Sequence, residues 1–483
     1  MSRQFTPSQD LLDFAARYFG ERASEYLACA GQPTQTLIRV NTHRISVAGL
    51  ISRLAHRGIT LHPSRMDPGL FNYAPADANP GGLLEHAMGL FYLQDLSSFA
   101  PVRVLDPQPG ERVLDLCAAP GSKTTQISQA MQDRGVLLAN DVSLGRVRAL
   151  AFNLDRLGSI NVTQSQFDGE RLGRLLPEGF DRVLLDAPCS ALGIIGSQPE
   201  VMNWWNQSEV ARLVRVQEKL FHSAVKALRP GGRLVYSTCT LTPAENELRV
   251  DWALKHLPLE LEPLPELPGL LIEPGWTEVD GLRLDERVAG CARVFPPDNA
   301  AQGFFIAAFR KKAVKGSAFA RPRPNPLRPA MRLIGPDAPE VRDILRRMET
   351  EYGLPADLLD NYRYVLDKDL WIVSPDQCKE IAVIGQRSGI RMARLHPDGR
   401  FSKVTSVFLQ WISPWIRKRR VDLPGSAVIV QQLLDAGEIP YLGTEKGQIA
   451  IFYEGICLGL GFVQDDRLIS RIPDSRRNMV RVA

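Results

Sequence analysis

Apolar and polar positions repeat with two different periods along this chain, and the switches between them mark out its elements. The pattern is most regular after residue 110. ERVLDL (111–116) is the short apolar run of a buried strand, CAAPGSK (117–123) is a turn of small residues, and 124–131 is a helical stretch. The same alternation predicts a strand at 135–141 (GVLLAND), a helix at 144–158, a strand at 180–188 (FDRVLLDAP), a helix at 210–228 and a strand at 231–238 (GGRLVYST). Strands apolar on both faces need helices on both faces, so the segment from about 100 to 312 is expected to be α/β, a doubly wound, mostly parallel sheet.

The flanks read differently. An amphipathic stretch, DLLDFAARYFG (10–20), and a short strand, TLIRVN (36–41), suggest a small mixed α/β domain over 1–98, with the core over 99–312. In AFARPRPNPLRP (318–329) the prolines fix φ and remove donors, so 313–330 is expected to be an extended linker. A last mixed domain, 331–483, has strand patterns at 369–374 (DLWIVS) and 448–455 (QIAIFYEG) and turns at 397–399 and 443–447. No apolar run reaches transmembrane length, so no membrane association is expected.

Composition adds two points. With 44% apolar and 23% charged residues the chain is neither disordered, collagenous nor coiled-coil. Its net charge of +4 hides an asymmetry, because residues 311–483 hold 28 basic and 20 acidic side chains while 1–310 hold 30 and 34. This is the charge pattern of a catalytic body joined to an anion-binding module, and equally of ordinary solubility charge. Seven cysteines lie far apart with no C-x-x-C pair or zinc-type spacing, so no metal is expected. Their odd number and the lack of a signal-like start favour the reducing cytoplasm, where thiols stay free.

The candidate chemistry sits at predicted strand ends. In LDLCAAPGSK, Gly121 lets the backbone pass closely by a bound group, and Ala118, Ala119 and Pro120 keep the approach narrow. Neither the G-x-G-x-x-G nor the Walker pattern is present, which leaves another adenosine ligand open. Asp141, ending the second strand, suits ribose hydroxyls, and Asp168 suits an adenine edge; taken singly each also reads as a turn or helix cap. Asp186, Pro188 and Cys189 follow one apolar strand and Cys239 follows another, so two thiols could converge on one crevice, where a thiolate is a natural covalent nucleophile.

VLDLCAAPGSKTTQIS, LANDVSLGRVRALAFNLDRLG, FDRVLLDAPCSALG, LRPGGRLVYSTCTLTPAENE and GFFIA, in that order over roughly 85–310, resemble the motifs of the Nol/Nop/Sun family of RNA (cytosine-5) methyltransferases. IRVNTHRISV, FYLQDLSS and a C-terminal extension resembling a PUA-like module are most similar to bacterial members that modify small-subunit ribosomal RNA. The resemblance implies a Rossmann-like class I methyltransferase fold, S-adenosyl-L-methionine as cofactor and 16S ribosomal RNA as partner, free or within the small subunit, with no obligate protein partner. It implies that Cys117, Ala118, Ala119, Pro120, Gly121, Ser122 and Lys123 hold the methionine part, Asp141 the ribose and Asp168 the adenine region, with Asp186 between cofactor and base. It implies that Cys239 is the nucleophile and that Cys189 assists product release. Ala191 stands where relatives often have glycine, which leaves the chemistry intact.

A target cytosine must leave its stack to be reached, so a structured RNA is expected. Arg39, and Arg417, Lys418, Arg419 and Arg420 beside Trp411 and Trp415, are candidates for phosphate and stacking contacts, although a WxxxW stripe also reads as core and a charge run as solvated surface. Rival readings are a methyltransferase of 23S or transfer RNA, and a noncatalytic assembly or RNA-binding factor.

Overall fold

The computed structural model describes residues 6–34, 36–313 and 332–479. The amphipathic stretch at the start forms a helix, Gln9–Phe19, capped by Ser8 through Leu11 N–H. Its apolar face, Leu11, Phe14 and Ala15, packs on Leu192, Trp205 and Phe295, so it is docked on the central α/β body. Strands β1 (Leu37–Val40), β2 (Thr60–Pro63), β3 (Leu70–Ala74) and β4 (Phe91–Gln94) form an antiparallel sheet in the order β2-β3-β1-β4.

The central sheet begins with β5 (Arg112–Asp115), β6 (Val136–Asn140), β7 (Val162–Ser165), β8 (Phe180–Asp186) and β9 (Leu228–Thr238), which run parallel in the order β7-β6-β5-β8-β9. Helices Ser122–Ala130, Leu144–Leu157 and Gln207–Ala227 cover it. Period-2 alternation divides the strands between two cores. Leu114, Leu138, Val183, Leu185 and Tyr236 face the 207–227 helix, whereas Val113, Leu137, Ala139, Leu184 and Val235 share a core with Ile127, Leu150 and Leu154.

The expectation of a mostly parallel sheet needs correction. β10 (Leu259–Glu262), β11 (Ile272–Pro274), the hairpin β12 (Glu278–Val279) and β13 (Leu282–Arg283), β14 (Ala292–Val294) and β15 (Phe304–Lys311) follow with only short 3₁₀ turns between β10 and β15. A parallel neighbour requires a long crossover, and this stretch supplies no crossover helix, so β15 pairs antiparallel with β9, and β14, β11 and β10 add antiparallel strands beyond it. The switch point lies at β5, which has β6 on one side and β8 on the other. Loops leaving β5 and β8 part there and open a crevice at the strand carboxyl ends.

In the C-terminal part, β16 (Arg332–Ile334), helix Pro339–Tyr352, β17 (Arg363–Leu366), β18 (Asp369–Val373), β20 (Ile390–Leu395) and β21 (Phe401–Val404) build one five-stranded sheet, while β19 (Arg387–Ser388) pairs with β7. A second sheet has the order β22-β24-β25-β26-β23, with β22 at Arg420–Asp422, β23 at Glu438–Pro440, β24 at Gly447–Tyr453, β25 at Ile456–Gln464 and β26 at Arg467–Ser470. Its Ile449, Ile451 and Leu458 share a core with Ile38, Val40, Leu54 and Phe91 of the N-terminal part. Apart from residue 313, the linker expected at 313–330 lies outside the described residues. Among the described residues no helix is long and apolar enough to cross a membrane.

Candidate active site

The crevice starts where β5 ends. Asp115 is buried, and its Oδ2 accepts a 2.7 Å hydrogen bond from Thr124 at the start of the 122–130 helix. Its Oδ1 is also buried and has no hydrogen-bond partner among the described residues. Burial, opposed by the Thr124 hydroxyl and reinforced by Asp186 and Asp141, pushes the carboxyl up to about 7. The loop between is pinned to β6, with Ala118 N–H donating to Asn140 O at 2.7 Å and Ala119 N–H to Asp141 Oδ2 at 3.3 Å. Arg146 pairs with Asp141 and donates to Ala119 O. Gly121 has φ +107°, a conformation that side chains other than hydrogen rarely adopt, and a Cβ there would meet Leu150 Cδ1 at 2.9 Å. The Cys117 thiol is pushed up by burial and by the carboxylates around it.

These residues fit S-adenosylmethionine. A buried carboxylate oxygen without a donor, in a crevice that also holds Asp141 and Asp186, suits a cationic ligand. Asp168 stands apart from this network. It caps helix Gly169–Leu175 through Glu170 N–H at 3.1 Å and pairs with Arg171, while buried Asn140 ties β6 to the 165–167 segment through Ser165 and Phe167.

Across the crevice, Asp186 Oδ2 accepts from Lys123 Nζ at 2.8 Å and Oδ1 from Ser237 Oγ at 2.7 Å. Burial pulls the Lys123 ammonium down, but Asp186 outweighs it and raises its pKa. Lys123 also donates to Ser98 Oγ at 3.1 Å and lies 5.1 Å from the Phe304 ring centroid. The two thiols predicted to converge do so, with Cys189 Sγ 3.3 Å from Cys239 Sγ. Contact with Cys239, then burial, and Glu245 beyond them hold the Cys189 thiol well above its ordinary value, so it stays protonated.

Glu245 was quoted in the sequence motif but given no role there. Its buried carboxylate accepts from Ser190 N–H at 3.0 Å, Ser190 Oγ, Thr242 Oγ1 at 2.7 Å and Gln217 Nε2 at 3.0 Å. Gln217 also holds Pro188 O, Ser190 Oγ meets Thr240 Oγ1 at 2.8 Å, and Asn246 holds Thr240 O. The loops carrying the two cysteines are thereby tied to one carboxylate. Burial raises the pKa of Glu245 and the donors oppose this; four donors on four acceptor sites match the ionised form.

The remote RNA candidates differ in their packing. Arg39 shares the β1 face of Leu37, against the core, and is buried; it donates to Ser122 O and Thr125 Oγ1 and lies over the Tyr92 ring. It braces the loop-following helix, and with Trp411 and Trp415 it lines a cavity of about 910 Å³. Trp411 and Trp415 pack partly into the C-terminal core, Trp411 edge-on to Tyr362. Arg420 forms two hydrogen bonds with Asp422, Arg419 donates to Lys446 O, and only Arg417 and Lys418 of that run are exposed.

Residues 102–310 match the family model described as 16S rRNA methyltransferase RsmB/F. Among solved structures, a methyltransferase homolog protein from Pyrococcus horikoshii is 36% identical with a TM-score of 0.56, covering 63% of this chain and 99% of its own. NSun6 from the same organism, solved with SFG, an analogue of S-adenosylmethionine, is 26% identical with a TM-score of 0.54 over 64% of this chain and 99% of its own. Ribosomal RNA small subunit methyltransferase F of Enterobacter sp. 638 is 38% identical over 480 residues, 94% of this chain and 92% of the relative. That of Vibrio vulnificus YJ016 is 33% identical over 95% of this chain and 93% of the relative. Similarity that extends through both flanks, and is not confined to the Rossmann-like core, makes the protein a member of the 16S rRNA methyltransferase RsmB/F family.

Proposed function

We propose that the protein transfers the methyl group of S-adenosylmethionine to C5 of a cytosine in 16S ribosomal RNA through a covalent bond between Cys239 and C6. The observation that carries this is the thiol pair at 3.3 Å, set beside the Lys123–Asp186 ion pair at the crevice. Bound S-adenosylmethionine supplies an electrophilic methyl group, and Cys117 to Lys123, Asp141 and Asp186 are the residues to hold it. Asp168 is proposed for the adenine end, where its Oδ1 caps the 169–175 helix and its Oδ2 pairs with the exposed Arg171.

Cytosine C5 is too weak a nucleophile alone. The Cys239 thiolate adds to C6, the C5–C6 electron pair moves into the ring, and C5 gains the electron density to take the methyl group. Asp186 faces the N3 and N4 edge, and the ammonium of Lys123 offsets charge building there. Loss of the C5 proton to a base then re-forms the double bond and expels Cys239 as thiolate. Cys189, protonated and in contact with the leaving sulfur, is assigned to this second half as a hydrogen-bond donor to the departing thiolate, or as the group that positions the water that takes the C5 proton.

The regions 1–98 and 331–483, with the 313–330 linker, are proposed to present RNA to the 99–312 core. The family description and the names of the relatives support 16S RNA over 23S or transfer RNA. Incubation with methyl-labelled S-adenosylmethionine and separate 16S, 23S and transfer RNA, followed by nucleoside mapping, should give 5-methylcytosine at one position of 16S RNA. Label only in another RNA, or on another base, contradicts the reading.

A further inference from the structure

On the β20–β21 hairpin Arg394 stands directly opposite Lys403, two cations on one face of an antiparallel pair. Like charges in that relation cost stability. Arg471 joins them, and the three line one cavity of about 210 Å³ between the two C-terminal sheets. Among the described residues none of the three has a carboxylate within ion-pair distance. Asp369 stands opposite Arg394 on the β18–β20 pair but pairs with Arg391 at 3.0 Å, Asp155 on the cavity wall pairs with Arg387 at 2.5 Å, and Asp398 pairs with Arg400 at 2.7 Å. Burial, then Arg394, then Arg471, lower the pKa of Lys403, as expected where cations crowd without an anion.

The cluster is also held in place. Arg471 N–H donates to Leu460 O at 2.8 Å and Ser406 Oγ donates to Arg471 O at 3.1 Å, which fixes the backbone of the third cation against the second sheet. Asp155, on the cavity wall, lies eleven residues along the helix that begins at Leu144 beside Asp141. At 1.5 Å per residue that is roughly 16 Å from the cofactor end of the helix, too far to touch the reacting base and near enough for the same RNA to reach both.

We propose that Arg394, Lys403 and Arg471 form a docking site for the phosphate backbone of the RNA substrate, in place of the 417–420 run. Repulsion among the three cations, only partly offset by Asp369 and Asp155, is relieved when phosphates enter. This rests on the proposed action on ribosomal RNA and adds to it the surface that anchors the RNA away from the base.

The test uses the full chain and transcribed 16S RNA, with affinity measured against salt concentration for wild type and for R394Q/K403Q/R471Q. Each lost phosphate contact removes about 0.9 from the slope of log affinity against log salt, so the slope should fall by about two to three. KM for RNA should rise at least tenfold with kcat within twofold, and the melting temperature should hold or rise because repulsion is removed. K403Q alone should lower the slope by about one, which guards against misfolding of the triple variant. An unchanged slope in both variants overturns the proposal. Trapping of an RNA adduct by C189A, measured alongside, separates the two readings: an adduct with an unchanged slope rejects only the docking site, and a reduced slope without an adduct rejects only the covalent chemistry.

Discussion

Asp115 is buried in the crevice with one carboxylate oxygen unpartnered among the described residues. Its folded pKa of about 7 stands above the ordinary 3.8, so between those values the folded chain keeps a proton that the unfolded chain has lost. The stability contributed by that proton is complete below about 4 and is lost as pH rises through about 7. Thermal unfolding of the ligand-free protein at pH 5 and pH 8 should therefore show a larger drop for wild type than for Asp115→Asn, whose side chain does not ionise. Parallel losses in the two proteins would contradict the burial argument. The sequence places Asp115 at a strand end but is silent on the empty oxygen, because that depends on which donors the fold brings near. Arg39 illustrates the same limit, since period-2 alternation gives it a face without revealing that a helix covers that face.

Among elements, the strand–loop–helix units were legible because each has a regular period and a turn of small residues, and β5, β6, β8 and β9 form within a few residues of expectation, whereas β7 had no expected range. The antiparallel strands β10 to β14 were not, being two to four residues long and too short to show a period. Nor was the partner of the Gln9–Phe19 helix, whose apolar face says that it packs and not on what. The clamp on the cysteine loops was equally hidden, for its donors come from Ser190, Gln217 and Thr242, and no sequence spacing links them. Glu245→Gln turns one acceptor oxygen toward donors as an NH2 group. It should destabilise by about 1–3 kcal/mol in denaturant unfolding, and should lower kcat several-fold more than it changes the Kd for S-adenosylmethionine. Unaltered stability and kcat would show that the two loops hold their spacing without the carboxylate.

At the scale of the whole molecule, the charge asymmetry of the sequence takes on a shape. The N-terminal sheet and the last C-terminal sheet share one apolar core and are tied by Arg57, which reaches Glu85 at 3.3 Å and Glu454 at 2.8 Å. The basic C-terminal part is thereby packed back against the beginning of the chain, beside the core, in reach of an RNA that also enters the crevice. In the proposed function, this arrangement serves covalent capture of a base by Cys239. The most direct measurement is mass spectrometry of the C189A protein after incubation with 16S RNA and S-adenosylmethionine, with C189A/C239A alongside. The account predicts a nuclease-resistant nucleotide adduct on the peptide containing Cys239 in the first protein and none in the second; an adduct on another residue, or rapid methylation by the double variant, would contradict it.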